Sequence, residues 1–566
     1  MDSNLLRTKS IEQLVGDVEG GGKALKRTLT ALDLTLLGIG AIIGTGIFVL
    51  TGTAAANQAG PAIVLSYTIA GLACGFAALC YAEFASMIPI SGSAYTYAYA
   101  TLGEIFAWMI GWDLILEYAV GSMTVAVGWS GYFQRILAGF DKHLPMWMSA
   151  SPDPAAGTLI NLPAVLIVLA IMVLLVIGVR ESARFNAAMV AVKLAAVAFF
   201  ILIGFSYVKP DNWSPFMPYG FSGVMTGAAV VFFAYIGFDA VSTTAEEAKN
   251  PSRDLPIGII ASLVICTLLY LIVAGILTGI VPVVQFKTDQ QFLNAPVGYA
   301  LAIINKNWAA GLVSAGAVAG ITSVLLVMLM SQPRIFFAMS RDHLLPAGVS
   351  RVHPRFRTPY ITTIITCVIV AAVAGFVPIN VLGEMTSIGT LFAFVVVSLA
   401  VIVLRIKRPE ARRPFRVPGG YVVPILGVLA CVYLMVSLSV MTWVRFLGWL
   451  DIGMIIYWFY GRTHSPLVNA TEAAARSGAE NFANFLKMLG YMLLFNGFCI
   501  TVLAYLTILN VTNETLAKWE ELDGVLSHIG MHVNPEIADS FGWKILLAGA
   551  VVAVIGHVLG RSSAKR

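Results

Sequence analysis

Two apolar stretches carry glycines where a membrane-crossing helix would be continuous: GIGAIIGTGIF over residues 38–48 and FFAYIGFDA over 232–240. Non-helical backbone at membrane depth persists only where protein buries it or where it lines a cavity. At Gly44-Thr45-Gly46 a broken helix presents the free N–H groups of its second half, which suit a carboxylate. Around Phe233-Ala234-Tyr235-Ile236-Gly237 the second break presents carbonyls at the end of its first half, which suit an ammonium group. Together the two could hold both ends of a zwitterion through backbone alone. The competing reading is packing, because Gly40 and Gly44 stand four apart as in a small-residue helix contact.

Charged residues inside apolar runs come next. Lys193 sits in FNAAMVAVKLAAVAFF, near mid-membrane. An ionised lysine there costs at least about 2.5–3.5 kcal/mol, and an amine under that penalty is suited to binding and releasing a proton. The alternative is a side chain that snorkels to the interface. Asp113 and Glu117 are four apart and share one helix face. Glu117, the deeper, could face a cationic substrate, pair with Lys193, or hydrogen-bond to a neighbouring helix. Asp113 and Glu83 read as structural acceptors, and Asp239 as a cap on the helix that restarts after the second break. Phe233 could lie across a substrate or simply pack, and Met328 in LLVMLM reads as core.

The elements that must position these groups follow from composition. Hydrophobic residues make up 58% of the 566-residue chain and charged residues 11%, with a mean hydropathy of +0.84. Soluble domains carry about a quarter charged residues, so this is an all-α polytopic membrane protein. Apolar stretches of about 20 residues place spans near 31–56, 62–88, 103–132, 162–179, 184–208, 221–246, 257–281, 308–332, 359–377, 381–405, 421–441, 443–460, 488–510 and 541–560. That is about fourteen, so both termini share one side. Most of the 35 Lys and Arg, including Arg351, Arg355, Arg357 and the cluster Arg405 to Arg416, then fall on one face. The positive-inside rule makes that face, and both termini, cytoplasmic.

The glycine break opens the first helix of each half, and five spans per half reverse the topology, which is an inverted-repeat arrangement. The expected divisions are a tail over 1–30, a first repeat over 31–208 and a second over 209–405. Spans eleven and twelve then occupy 406–462, and a linker with two more spans 463–566. The polar first 30 residues hold no signal peptide. The six cysteines lie in apolar segments without ligand spacing and read as packing. Asn510-Val-Thr and Asn513-Glu-Thr fit a glycosylation triplet that often arises by chance. No Walker motif, GxSxG elbow or HExxH occurs, so neither hydrolysis nor ATP-driven pumping has support, and no metal or cofactor is expected.

The stretches GIGAIIGTGIF (38–48), ALCYAEFASMIPISGSAYTYAYATLGE (78–104) and FFAYIGFDAVSTTAEEAKNPSRDLPIGI (232–259) resemble the amino acid–polyamine–organocation superfamily, and within it the cationic amino acid transporters. The resemblance implies a leucine-transporter-like 5+5 inverted repeat with four additional C-terminal helices, alternating access, and an amino acid substrate. It implies a substrate site on Ile42, Gly44, Thr45, Gly46, Phe233, Ala234 and Ile236, with Phe233 as gate. Glu117 and Met328 complete the expected lining. Lys193 matches a lysine that replaces a bound ion in proton-coupled members, so protons are the expected coupling partner. Glu246, Glu247, Lys249, Arg253 and Asp254 match an inner loop and would make gate contacts. Cationic substrates come first and small neutral ones second, in a plasma membrane; a small accessory subunit is left open.

Overall fold

The computed structural model describes residues 8–9, 29–88, 90, 93–154, 156–177, 182–245, 248–282, 285, 293, 295–351, 359–465, 478–509, 546–547 and 549–554. Glu246, Glu247, Arg355, Arg357, Asn510, Asn513, most of the 1–30 tail and residues 466–477 of the 463–487 linker lie outside them. The described residues form helices and loops, with two isolated bridges and no strand among them. Nine helical stretches among them are long and apolar enough to cross a membrane, and four shorter helices are also apolar.

In chain order the main helices are α1 (Ala31–Ile42), α2 (Ile63–Met87), α3 (Glu104–Ala138), α4 (Leu162–Ile177), α5 (Ser182–Gly204), α6 (Gly220–Val231) and α7 (Pro251–Ile280). There follow α8 (Asn307–Arg341), α9 (Tyr360–Phe376), α10 (Ile379–Lys407), α11 (Val422–Val436), α12 (Val440–Ile456) and α13 (Gly478–Leu509). A capping box starts α1: the Asp33 carboxylate accepts the Thr30 N–H at 2.9 Å, and the Thr30 hydroxyl oxygen accepts the Asp33 N–H at 3.4 Å. Two otherwise orphaned donors are thereby satisfied where the chain enters its first helix. Asp254 serves locally at the head of α7, accepting the Asn250 N–H at 3.2 Å.

The chain divides into two units, residues 1–341 with 346–437, and residues 342–345 with 438–566. In the first, α3 packs on α8 and α10, α2 on α7, α7 on α1, and α5 on α8. The most apolar 18 residues of α3 have a mean hydropathy of only 1.3 and are 89% buried, against 2.5 and 33% for α5. A helix facing lipid must be apolar all round, whereas one enclosed by others can carry polar groups. That is why Asp113, Glu117, Ser122, Thr124 and Ser130 can all be buried on α3. In the second unit, Ser439 caps α12 by accepting the Thr442 N–H at 3.3 Å. There Asn496 of α13 donates to Asp451 of α12 at 2.7 Å. All six cysteines are free, and five are buried.

Candidate functional site

Both expected breaks are present. After Ile42 the backbone turns extended at Ile43 (ψ 103°) and resumes at Gly46–Leu50 as a π-helical turn. After α6 the chain tightens into a 3-10 turn over Phe232–Tyr235, extends at Ile236 (ψ 135°) and reverses at Gly237 (φ +116°). The breaks cross each other. A side chain on Gly46 would clash with Ala234 Cα and Cβ at 2.4 Å, and one on Gly237 would meet the Ala41 backbone at 2.9 Å. Only glycine supplies both that clearance and the positive φ at Gly237. The glycines of the first break pack as well: Gly44 is covered by Val324 of α8. Packing and opening of the backbone therefore coincide on the same residues.

A broken helix leaves carbonyls without partners, and here side chains from neighbouring helices reach them. Lys193 of α5 is fully buried. Its Nζ donates to the Gly40 carbonyl, to the Ile43 carbonyl at 2.9 Å and to Ser323 Oγ of α8 at 3.3 Å. The Tyr270 hydroxyl of α7 stands 2.9 Å from the Ile42 carbonyl and 2.6 Å from the Ala234 carbonyl, so it joins the two breaks. Tyr67 donates to the Gly46 carbonyl at 3.1 Å, Thr51 to that of Ile47 at 2.9 Å, and Tyr132 to that of Phe48 at 2.6 Å. These hydroxyls let a widened π-helical turn persist at membrane depth. The carbonyls expected to stand open for an ammonium are thus partnered within the protein: the Phe233 carbonyl accepts the Ile236 N–H at 3.2 Å, and that of Ala234 faces Tyr270.

The expected site residues gather around this crossing. Ile42, Phe233, Ala234 and Ile236 are buried there. Thr45 turns its side chain against Gly128 of α3, and its hydroxyl has no partner among the described residues. Met328 lies one helical turn beyond Val324 and packs its thioether against Gly121 of α3. Glu117, Asp113 and Asp239 are all buried carboxyls, and Glu117 lies within electrostatic range of both others. Glu117 Oε1 and both Asp113 oxygens have no hydrogen-bond partner among the described residues. Glu117 does not pair with Lys193, because all three Lys193 donors go to Gly40, Ile43 and Ser323. Asp239 does not cap the restarting helix: its carboxylate accepts the Gly237 N–H and the Tyr118 hydroxyl, each at 3.2 Å.

Glu83, at the end of α2, holds two guanidinium groups. Arg405 Nε donates to it at 3.0 Å and Arg405 Nη2 makes a second, close bond, while Arg413 Nε stands 3.4 Å away. The Val417 N–H donates at 2.8 Å. This ties the chain after α10 back onto α2. On the side of the breaks away from Thr30, a cavity of about 340 Å³ opens between the second half of the first interrupted helix, α3 and α10. No group of His, Cys, Asp and Glu among the described residues could hold a metal ion.

Sequence reasoning missed Tyr270, Tyr67 and Ser323. A signal existed for Tyr270: a hydroxyl deep in the run CTLLYLIV must donate somewhere. With 19 tyrosines in the chain, that signal does not single one out.

The family model described as amino acid permease matches residues 29–461. The chain is 53% identical over 469 residues to the branched-chain amino acid permease BcaP of Bacillus subtilis (strain 168), across 82% of this chain and 100% of that protein. It is 50% identical over 465 residues to the methylthioribose transporter of the same organism, across 82% and 99%. It is 32% identical over 588 residues to the vacuolar cationic amino acid transporter 4 of Arabidopsis thaliana, across 83% and 97%.

Proposed function

This chain belongs to the amino acid permease family, whose members transport rather than catalyse, and from that premise we propose that it imports amino acids by proton-coupled symport. The fold in this reading is a 5+5 inverted repeat of α1–α5 and α6–α10 with four further spans, and the Thr30 side faces the cytoplasm across a plasma membrane. The observation that carries the reading is Lys193, whose amine binds the carbonyl of Gly40 in the last turn of α1, that of Ile43 at the break itself and the α8 hydroxyl of Ser323. A protonated amine offers three donors and a charge that the carbonyl dipoles stabilise. Loss of the proton removes one donor and the charge, which loosens α1 from α5 and α8. Proton binding and the position of the broken helix therefore become one equilibrium, and a protein that rearranges only when both proton and substrate are bound is a symporter.

The substrate carboxylate sits on the amides of Gly44, Thr45 and Gly46, and its ammonium on carbonyls near Ile42, Phe233, Ala234 and Ile236. Phe233 closes over it, and Glu117 and Met328 face the side chain. Cationic amino acids are the first substrate class, supported by the Glu117 carboxylate oxygen that has no partner among the described residues. A second reading is a neutral, branched-chain substrate. It is supported by the apolar neighbours Ile42, Phe233 and Val324 and by the 53% identity to a branched-chain permease.

The test is uptake of radiolabelled arginine, leucine and alanine into proteoliposomes under an inward proton gradient without sodium. Accumulation that collapses with a protonophore supports symport, and competition among the labels ranks the substrates. Uptake only into preloaded vesicles would make the protein an exchanger. A sodium requirement would make it a sodium symporter, and binding without any uptake a sensor.

A further inference from the structure

The loop that joins α10 to α11 is built around two enclosed guanidinium groups, Arg405 and Arg413, whose side chains are 5% and 8% exposed. Arg413 donates to the carbonyls of Pro409 at 3.2 Å, Ala411 at 2.7 Å, Leu404 at 3.4 Å and Arg408 at 2.9 Å. Arg405 donates to the carbonyls of Gly420 and, at 3.4 Å, Val417. Both arginines hold Glu83 of α2, and the Phe415 N–H adds a bond to Ser86 Oγ of α2 at 3.2 Å. Pro409, Pro414 and Pro418 fix three further backbone angles.

Lys407, Arg412 and Arg416 stand exposed on this frame, with Arg408 half-buried beside them. None of these four side chains donates to another described residue, and Glu410 is the one acid within residues 407–420. An apolar wall flanks the cations. Ile406 is 66% exposed at the end of α10, and Val422, Ile425 and Leu429 form an exposed row along α11. Steps of three and four residues keep that row on one helix face. In a membrane protein such a face meets acyl chains, so the loop at its end lies at headgroup level. Topology alone does not account for this order. The positive-inside rule counts Lys and Arg near span ends and demands no fixed arrangement of them. Here two arginines turn inward to shape the loop, and the other cations are presented outward without a protein partner.

We propose that the α10–α11 loop is a binding site for an anionic phospholipid, whose headgroup phosphate rests on Lys407, Arg412 and Arg416 while its acyl chains lie along Ile406, Val422 and Ile425. Guanidinium groups suit a phosphate through paired donors, and a loop already ordered loses little freedom on binding. Because the loop is bonded to Glu83 and Ser86, the bound lipid also holds the junction of α2 with α10. Binding to the folded chain then raises its stability by mass action.

The experiment titrates the full chain, purified in a neutral detergent, with phosphatidylglycerol and with phosphatidylcholine, and reads bound lipid by native mass spectrometry. Wild type is expected to retain phosphatidylglycerol preferentially, and added salt to weaken that retention. Lys407→Gln, Arg412→Gln and Arg416→Gln are expected to weaken it about fivefold each, the scale of one basic residue at an anionic surface. The comparison carries Lys142→Gln, Lys209→Gln and Lys306→Gln on the opposite face and should bind as wild type does. Phosphatidylglycerol should raise the unfolding temperature of wild type and of this comparison, but not that of the triple loop variant. Equal retention of the two lipids by wild type, or retention indifferent to salt, would overturn the inference without recourse to any variant. Equal losses in the loop variant and the comparison would overturn it as well, since the attraction would then follow net charge alone.

Discussion

Removing the Tyr270 hydroxyl tests whether the two breaks act as one site. In Tyr270→Phe the ring keeps its packing against Tyr67 and Tyr235, whose ring centroids lie 5.2 and 5.3 Å away. What is lost is the donor that stands 2.9 Å from the Ile42 carbonyl and 2.6 Å from the Ala234 carbonyl. One hydroxyl carries one proton, so the change deprives the pair of a single hydrogen bond at any instant. Leaving a buried acceptor unsatisfied costs about 1–3 kcal/mol, and that sets the expected loss of stability in detergent. The same hydroxyl fixes the separation of the two carbonyls, so without it substrate must order them on binding. The KM for uptake is expected to rise by about tenfold, a conversion of about 1.4 kcal/mol. Thermal unfolding and uptake kinetics are measured together, with Tyr235→Phe as the comparison. That hydroxyl donates to the Tyr67 carbonyl at 2.8 Å, within α2 and away from the crossing. Its removal should cost similar stability without the KM change. If Tyr270→Phe leaves KM where it was, or if Tyr235→Phe raises it equally, Tyr270 is packing and the two-carbonyl bridge has no part in binding.

Three further outcomes follow from the same geometry. Lys193→Ala should abolish accumulation driven by a proton gradient, as read by vesicle uptake with and without a protonophore; full accumulation by this variant would refute proton coupling through Lys193. Gly46→Ala places a methyl 2.4 Å from Ala234 Cα and Cβ, so uptake should fall to background and the unfolding temperature should drop, an overpacking cost of about 1–3 kcal/mol. Glu83→Gln leaves Arg405 and Arg413 buried without their carboxylate. Removing one partner of a buried ion pair costs about 3–5 kcal/mol, which a thermal-shift measurement would report as a large fall in unfolding temperature.

The breaks and Lys193 were legible in the sequence for one physical reason. A glycine cluster or an ammonium inside twenty apolar residues is costly in hydrocarbon, so its presence marks a position where protein must compensate. Family membership was legible in the same motifs, and the comparisons bear it out. The compensating partners were not legible. Tyr270 lies 36 residues from Ala234 in sequence, and Ser323 is 130 residues from Lys193; both depend on how α7 and α8 are placed against α1. Asp239 shows the limit of local reasoning. Its position before a restarting helix reads as a cap, yet Gly237 turns back through positive φ and brings its own N–H to that carboxylate.

The partners of the broken backbone also constrain how the molecule can move. Gly40, Ile42, Ile43 and Ala234 each expose a carbonyl at a break; Lys193 on α5 donates to those of Gly40 and Ile43, and the one proton of Tyr270 on α7 is shared between those of Ile42 and Ala234. In hydrocarbon those carbonyls have no water to turn to, so α1 cannot leave α5 and α7 unless something else satisfies them. A substrate ammonium at the crossing and water admitted through an opened cavity are the groups able to do so. In the proposed transport reading, occupancy of the site and the position of α1 would be linked through the same four carbonyls. An apolar side chain at position 193 would break that linkage even if it filled the volume well, because it removes the donor while leaving the breaks in place. Lys193→Met is therefore expected to keep the fold better than Lys193→Ala yet to lose gradient-driven accumulation equally. If Lys193→Met accumulated substrate like wild type, lysine would be acting as a filler and the linkage would have to run elsewhere.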